Sequence, residues 1–530
     1  MNGQSSSKSG RLPFGDPDGA RADLDRSVNE FISIDEKNFS SGISIGEADR
    51  NIRIVVGKKG SGKTIYLRRL QDSARREESV FASKIAKDIP STNSVVEFCQ
   101  IFSADRVTEA WQTAWRNAIL NSVYTHLVAK SFFAQYVDQS DLKQKYTELF
   151  GESRKITVER SPYSELKDII RKHRSDRNFW QDAADSKWDD LQTILGNCLK
   201  QCPPIFVYLD ASDDEFAHAP MDWHRCQKGL FYAVIRMLGQ AGAIASRLHA
   251  VIAIRDIVFS SVLQSEHRTR YIGSPSIALL DWNRSAIKFF YEKKLVLAPP
   301  DVFFEPDTRS SASFLGIEKI TNERRSIVED ATSYLLRHTR SIPRDIIQVC
   351  NAIAQEKVEV GEKIHDRDFW ERRLRRVISS NAAKFAEEQI QVCANQLSSH
   401  EAPSRSARHQ YSELYTSDQE YIASKASIVK DFIRAVGRER FSYEDLQIAE
   451  METANQVPSD VSIGTILWQH GLIGIRGRED GPYFSFYSLK ENAGFMLSDS
   501  AAEYAFHSIL LDAVPGLETV SSFPVCEAEV

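Results

Sequence analysis

The amino-acid sequence predicts an α/β fold built on a parallel sheet, and three observations lead to this prediction. Short apolar runs at residues 52–56, 205–209 and 248–254 alternate with longer segments of helical periodicity. A glycine-rich octapeptide, GKKGSGKT at residues 57–64, directly follows the first run. The second run ends in a carboxylate, Asp210. Buried strands that alternate with helices are typical of a parallel sheet whose ligands lie at the carboxyl ends of the strands.

The composition is that of an ordinary globular protein and excludes only a few functions. The 530 residues are 42% hydrophobic and 26% charged, with a formal net charge of −6. This charge argues against wholesale electrostatic attraction to DNA or to a membrane surface, although it is compatible with a local basic patch. No run approaches the ~18 apolar residues of a membrane span, and no apolar signal segment is visible. Seven scattered cysteines without paired spacing predict a reducing, cytoplasmic location.

The octapeptide at residues 57–64 matches the P-loop consensus G-x-x-x-x-G-K-[ST] in the strand–loop–helix setting that this motif requires. Its glycines let backbone N–H groups face a phosphate, and the helix that begins there adds partial positive charge. Lys63 is expected to reach the β- and γ-phosphates of ATP, and Thr64 to hold Mg²⁺. A chance glycine-rich turn is the alternative, and Lys58 could equally face solvent. The residues assigned to the nucleotide here are Gly57, Lys58, Lys59, Gly60, Ser61, Gly62, Lys63, Thr64 and Tyr66.

Asp210 ends an apolar strand, as the Walker B aspartate of an ATPase does, and is expected to lie beside Thr64 and hold Mg²⁺ directly or through water. A structural aspartate at a strand end is the alternative. Hydrolysis also needs a group that orients or deprotonates water. Ala211 occupies the position where many such ATPases have Glu, so Asp213 is the first candidate and Glu215 the second. Alternatively, these acids form a solvated loop and the protein is slow or only binds nucleotide.

Three arginines complete the predicted site. Arg255 follows the strand at 248–254, where a polar side chain could sense the γ-phosphate; pairing with Asp256 or with the acidic loop is the alternative. Arg340 and Arg344 flank Ile342-Pro343 at the start of a helix, from which a guanidinium could reach nucleotide phosphates bidentately, in the same chain or in a neighbouring subunit. Structural or surface arginines are the alternative for both.

The pattern of elements divides the chain into a core, a lid and a C-terminal domain. A second strand is predicted at Val95–Phe102, followed by a mostly helical insertion at about 105–200. Helices are predicted from Ser341 to about Glu356 and from Asp366 to about Asn395. The predicted parts are a disordered N-terminus (1–28), a P-loop NTPase core with the insertion (29–300), a helical lid (301–400), a winged-helix domain (407–492) and a tail (493–530).

The winged-helix prediction depends on three helices followed by a hairpin. Residues 422–436 have an amphipathic pattern, and a second helix begins at the N-cap Ser442 with Asp445 in its third position. A third helix is predicted at 462–470, and two strands surround a turn at 479–482. The third helix carries no Lys or Arg, which counts against major-groove DNA recognition.

These residues together resemble the AAA+ and STAND ATPases, and more narrowly a group of bacterial P-loop ATPases often found in phage-defence loci. The resemblance covers about 45–360 and includes the loop at 56–64, LDASDDE at 209–215, Trp223 with Gln227-Lys228-Gly229-Leu230, Leu280-Asp281-Trp282 and SIPRD at 341–345. It implies that Asp210 is the Walker B residue, Arg255 sensor 1, and Arg344 or Arg340 sensor 2. It further implies ATP-driven oligomerisation or switching beside a separate effector protein.

Three functions follow as expectations. The first is a Mg²⁺-dependent ATPase that serves as a switch or homo-oligomeric scaffold for an effector, in bacterial anti-phage defence by the resemblance. The second is an ATP-regulated DNA-binding protein that uses the winged helix, with Arg476 and Arg478 touching a backbone. The third is a P-loop kinase or small-molecule phosphotransferase, which the large lid and tail fit poorly.

Overall fold

The computed structural model describes residues 12–18, 47–77, 79–86, 88–151, 156, 158–173, 175–210, 219–240, 242–263, 268–400, 418–459, 461–477, 484–489 and 496–519. The chain divides into two compact units. The first comprises 43–59 and 63–280, and the second 1–42, 60–62 and 281–530. Across the described residues, no helix combines the length and the apolar composition needed to cross a membrane.

The first unit is built on a five-stranded sheet in which every pairing is parallel. The order is β2-β3-β4-β1-β5, so the α/β class and the parallel sheet predicted from the sequence are confirmed. The strands are β1 (Ile54–Gly57), β2 (Phe81–Ala82), β3 (Ile205–Asp210), β4 (Leu248–Arg255) and β5 (Ile277–Leu280). The apolar runs form β1, β3 and β4, whose central residues are fully buried. Continuous burial of this kind is what helices on both faces of a parallel sheet impose.

Helices cover the sheet and form the long segment between β2 and β3. They are α1 (Glu47–Arg50), α2 (Lys63–Arg75), α3 (Thr92–Ile101), α4 (Val107–Ala129), α5 (Gln139–Phe150), α6 (Pro162–Lys172), α7 (Asp176–Ala183), α8 (Lys187–Gln201), α9 (Pro220–Leu238), α10 (Ala243–Arg247), α11 (Asp256–Leu263) and α12 (Arg268–Tyr271). The mostly helical character predicted for about 105–200 is confirmed.

The strand predicted at Val95–Phe102 is wrong, because this segment forms helix α3. The Ser91 side chain accepts a hydrogen bond from the Ser94 backbone and caps the helix, and Val95, Phe98 and Cys99 form its buried face. A short apolar run does not distinguish a buried strand from a buried helix by periodicity alone. The second strand of the sheet is instead the two-residue β2.

The close packing of α4 on α9 explains a glycine in the middle of a helix. An added Cβ at Gly229 would lie 2.3 Å from the Cβ of Trp111. The indole of Trp115 donates a hydrogen bond to the carbonyl of Cys226, 3.0 Å away, along the same contact. Gly229 therefore allows the two backbones to approach, at the cost of weaker helix propensity.

The second unit begins with helices and one hairpin. Its elements up to residue 400 are α13 (Arg284–Leu297), α14 (Ser311–Leu315), β6 (Lys319–Asn322), β7 (Ile327–Asp330), α15 (Ala331–Arg337), α16 (Pro343–Val360) and α17 (Arg367–His400). The helices predicted from 341 and from 366 are confirmed as α16 and α17. The antiparallel β6–β7 hairpin was not predicted. Within the segment predicted to be disordered, residues 12–18 are described, and Phe14 is buried against Phe314.

Helices in the C-terminal part of this unit pack with an antiparallel sheet of order β10-β9-β11-β8. The elements are α18 (Asp418–Val436), β8 (Arg440–Phe441), α19 (Tyr443–Thr453), α20 (Ile463–Gln469), β9 (Ile473–Arg476), β10 (Ser485–Phe486), β11 (Glu503–Phe506) and α21 (Ile509–Ala513). The three predicted helices and the hairpin are confirmed. Ser442 and Asp445 form the predicted capping box. Strands β8 and β11 were not predicted.

Candidate functional site

The candidate site lies at the carboxyl ends of the strands of the parallel sheet. The chain that leaves β1 returns at β2 on one side of the sheet, whereas the chain that leaves β4 returns at β5 on the other side. The ends of β1 and β4 therefore form a topological switch point, where open α/β sheets bind their ligands. Gly57 at the end of β1 is in register with Arg255 at the end of β4. The loop at 57–62 starts from this point.

The loop curls because two of its glycines take a conformation that other residues rarely adopt. Gly60 has φ of +88° and Gly62 has φ of +95°. Helix α2 begins immediately afterwards at Lys63, so the loop leads into a helix N-terminus with unsatisfied N–H groups. A turn of this kind followed by a helix forms a concave surface of backbone amides that suits an anion.

Lys63 is held over the loop. Its ammonium donates hydrogen bonds to the carbonyls of Gly57 and Lys58, both 3.0 Å away, and its exposed fraction is only 5%. These contacts fix the long side chain along the curve of the loop. A lysine positioned in this way places its charge where phosphate oxygens on the loop amides would be neutralised.

The Thr64 hydroxyl and the Asp210 carboxylate meet although 146 residues separate them. Thr64 Oγ1 donates to Asp210 Oδ2 over 2.7 Å. The buried hydroxyl of Tyr163, on α6, donates to the backbone carbonyl of Asp210 over 2.9 Å and fixes the end of β3. Tyr163 was missed by the sequence reasoning, because nothing local in a helical insertion indicates a contact 47 residues away.

The donor set suits a magnesium ion that is shared with a phosphorylated ligand. Mg²⁺ is usually bound by one or two protein oxygens, with phosphate oxygens and water completing the octahedron. Thr64 and Asp210 supply two such oxygens. No group of three or more His, Cys, Asp or Glu side chains suited to a metal is present in the parts of the chain that the structure describes, so an all-protein metal cage is not the arrangement found there.

Arg255 is buried at the end of the strand that lies between the strands ending at Gly57 and at Asp210. Its strand, β4, lies between β1 and β3 in the sheet, and its exposed fraction is 6%. The backbone N–H of Arg255 donates to the side chain of Gln227 on α9, 3.2 Å away. This contact anchors the end of β4, and the guanidinium thus belongs to the strand that separates Gly57 from Asp210.

Within the second unit, Arg344 lies against Gly60. The backbone N–H of Arg344 donates to the Gly60 carbonyl over 3.3 Å, and an added Cβ at Gly60 would lie 2.8 Å from the Arg344 Cβ. The Trp282 indole donates to the Ser61 carbonyl over 2.9 Å. Among the described residues, the Arg344 Nε and the Ser61 hydroxyl are buried and have no hydrogen-bond partner. Two unsatisfied polar groups at one glycine-rich turn suit a ligand whose oxygens accept hydrogen bonds from them.

Arg340, unlike Arg344, is paired with carboxylates. Its guanidinium contacts both carboxylate oxygens of Asp345, 2.7 and 2.9 Å away, and Glu388 at 3.0 Å. These carboxylates raise the pKa of Arg340 despite its burial. The structural alternative therefore describes Arg340 well, and its role at the nucleotide stays a prediction.

The remaining predicted residues are placed as follows. The Tyr66 hydroxyl donates to Asp49 on α1 over 2.8 Å, and burial raises the pKa of this phenol. Asp213 and Glu215 lie outside the described residues, as does Arg478. All seven residues of helix α20 are buried, which disfavours its use as a DNA-recognition helix.

Comparison of this chain with protein-family models, with curated proteins and with solved structures gave no significant match in any of the three.

Proposed function

We propose that this chain binds ATP with Mg²⁺ at the loop of residues 57–64 and hydrolyses it. In this proposal the same chain, with its C-terminal winged helix, acts as a nucleotide-dependent switch or oligomeric scaffold for a separate effector. One observation carries the proposal: the 2.7 Å contact between Thr64 and Asp210. It joins the last residue of a complete P-loop sequence to a carboxylate at a distant strand end, as a Walker A and Walker B pair requires.

The residues of this chain divide the work of phosphoryl transfer. Backbone amides of the loop and the Lys63 ammonium bind and orient the phosphates. Thr64 and Asp210 would hold Mg²⁺, which supplies neutralisation of charge on the phosphate oxygens. Arg344, packed on Gly60, and Arg255, at the end of β4, are the candidates for sensing the terminal phosphate. Asp213, with Glu215 second, remains the predicted group for activating water.

Turnover measurements test the catalytic part. We expect Mg²⁺-dependent release of phosphate from ATP by the wild-type chain, and its loss in Lys63→Ala. Lys84→Ala is the matched control, because Lys84 is an exposed lysine of the same unit. ATP that binds with Mg²⁺ but is never hydrolysed would contradict catalysis and leave a static nucleotide-bound scaffold.

Particle size tests the proposed assembly. If nucleotide drives oligomerisation, as the resemblance to AAA+ and STAND ATPases implies, light scattering will show a larger particle with a slowly hydrolysed ATP analogue than with ADP. Arg344→Ala is expected to bind nucleotide but to lose this difference, because its guanidinium would no longer report on the terminal phosphate. An identical particle mass in both nucleotide states would contradict the switch.

A further inference from the structure

The second unit contains a cavity that is unusually rich in arginine and is separate from the residues assigned to ATP. Its volume is about 360 Å³, which is within the range of small-molecule sites. It is lined by the β6–β7 turn, α15, α17 and the start of α21. Six of its fourteen lining residues are arginines, two are acids and none is lysine.

Four of the arginines that line the cavity are already paired with carboxylates. Arg325 pairs with Glu439 and both side chains are almost wholly buried, while Arg337 pairs with Glu329. The other pairs are Arg375 with Glu323 at 2.6 Å and Arg324 with Asp512 at 3.5 Å. The two buried pairs, Arg325–Glu439 and Arg337–Glu329, hold their positively charged edges in fixed directions.

The remaining two arginines have no such partner. Arg372 and Arg376 are exposed on α17, and in the described part of the chain neither takes part in an ion pair. They are four residues apart on one helix, where like charges repel by roughly 0.2–0.5 kcal/mol. An anion between them would remove this repulsion and gain two charge-assisted contacts.

The surroundings favour phosphate over a single carboxylate. Four of the six guanidinium groups are paired with carboxylates, so the excess of positive charge at the cavity comes from Arg372 and Arg376. A phosphate group carries more negative charge than a carboxylate and so balances these two cations better. Tyr334, Ser379 and Ser508 also line the cavity and offer hydroxyl groups. His338 is buried, and burial holds its pKa well below the usual value, so this ring is a neutral hydrogen-bonding group at pH 7.

We propose that this cavity is a binding site for a small organic anion that carries two or more phosphate groups, held by Arg372 and Arg376 at its mouth and by the paired arginines within. The cavity lies on the turn and helix that precede Arg340 and Arg344, since Arg337 and His338 belong to it. A ligand bound there would stiffen this segment and so influence the position of Arg344.

The experiment measures binding in the Lys63→Ala background, where the P-loop is expected to compete less strongly for the probe. Calorimetry at physiological salt uses inorganic tripolyphosphate and inositol hexakisphosphate as probes, with citrate as a polycarboxylate comparison. We expect at least one phosphate probe to bind, and Arg372→Glu/Arg376→Glu to weaken it by at least about tenfold, which is the loss of one to two charge-assisted hydrogen bonds. Arg367→Glu/Lys384→Glu, with the same change in net charge on exposed positions of the same helix, is expected to bind normally.

The proposal is overturned if neither phosphate probe binds, if the two double variants weaken binding equally, or if citrate binds as tightly as the phosphates. A short oligonucleotide is the last probe. If it binds through Arg372 and Arg376 while the small phosphates do not, the cavity mouth is a nucleic-acid contact and the small-ligand proposal is wrong. Because these readouts concern the cavity variants alone, they stand whether or not the chain hydrolyses ATP.

Discussion

The hydroxyl of Thr64 lies 2.7 Å from the carboxylate of Asp210, and this contact connects the start of helix α2 with the end of strand β3. The two residues come together because β1, β4 and β3 run parallel, so the helix that follows β1 begins at the same edge of the sheet at which β3 ends. Sequence-distant oxygens in contact at the switch point of an α/β sheet are what a shared metal ion and a phosphorylated ligand require.

The first prediction concerns the dependence of ATP binding on magnesium. Thr64→Ala removes one of the two protein oxygens, and Asp210→Asn removes the negative charge of the other, so in either variant Mg²⁺ is expected to stop increasing ATP affinity. Thr64→Ser keeps the hydroxyl and is the matched control, which we expect to respond to Mg²⁺ as the wild type does. A calorimetric titration at several Mg²⁺ concentrations measures this, and an Asp210→Asn variant that still responds fully to Mg²⁺ would contradict the assignment.

The two positive-φ glycines of the loop are expected to differ in their tolerance of a side chain. Both Gly60→Ala and Gly62→Ala place an L-residue in a left-handed conformation, at a cost of roughly 1–2 kcal/mol. Only at Gly60 would the new Cβ meet other side chains, those of Arg344 and Ile342, whereas nothing lies within 4 Å at Gly62. Gly60→Ala should therefore lower the apparent melting temperature of the nucleotide-free protein more than Gly62→Ala does. Equal losses would mean that the Arg344 contact is absent.

The loop shows which parts of the fold and of the site the sequence could predict. The strand–loop–helix at 54–75 and the strand that ends at Asp210 were predictable, because apolar runs and glycines are local signals. Helix α3 was mistaken for a strand because its buried face reads as a continuous apolar run. The pairing of Arg340 with Glu388 was not predictable, since it joins residues 48 positions apart. The same is true of strand β11, which pairs with β9 and with β8, both distant in the sequence.

A second glycine pair tests the packing of the helical insertion. Gly229→Ala would drive a methyl group into Trp111, with its Cβ 2.3 Å from that residue's Cβ. Overpacking of this kind typically costs about 1–3 kcal/mol, so we expect a lower apparent melting temperature. Gly196→Ala, inside helix α8 with nothing within 4 Å of the added Cβ, should instead be neutral or stabilising by up to about 1 kcal/mol. A Gly229→Ala variant as stable as the wild type would show that α4 and α9 do not pack this closely.

The partly buried side chain of Lys357 predicts a specific dependence of stability on pH. It donates to the Val302 carbonyl and lies over the rings of Phe304 and Phe314, at 4.3 and 4.8 Å from their centroids. Burial lowers the pKa of Lys357 from 10.5 to about 7. Below pH 7 the side chain is charged in both the folded and unfolded states, so its desolvation fully opposes folding. As pH rises from 7 towards 10.5, the folded state loses its proton first and this penalty is relieved.

Replacement of this lysine should therefore help most at low pH. Lys357→Met is expected to be more stable than the wild type, and this gain should be larger at pH 6 than at pH 9.5 by more than about 1 kcal/mol. The reason is that each unit of pKa depression corresponds to about 1.4 kcal/mol. Lys363→Met is the control, because Lys363 is exposed and should show no such trend. Thermal unfolding of the three proteins across this pH range gives the comparison. A difference between Lys357→Met and the wild type that does not change with pH would mean that the ammonium is not desolvated.

The central claim is that the loop of residues 57–64 binds a nucleoside triphosphate through its backbone amides and Lys63. The most direct measurement is calorimetric binding of ATP with Mg²⁺ to the wild-type chain, to Lys63→Ala and to Lys84→Ala. We predict binding at the loop in the wild type and in Lys84→Ala, and an affinity at this site at least about tenfold weaker in Lys63→Ala, because the loss of one ammonium–phosphate contact has this magnitude. The absence of heat and of thermal stabilisation with either ATP or GTP, or equal affinity in Lys63→Ala and the wild type, would contradict the account.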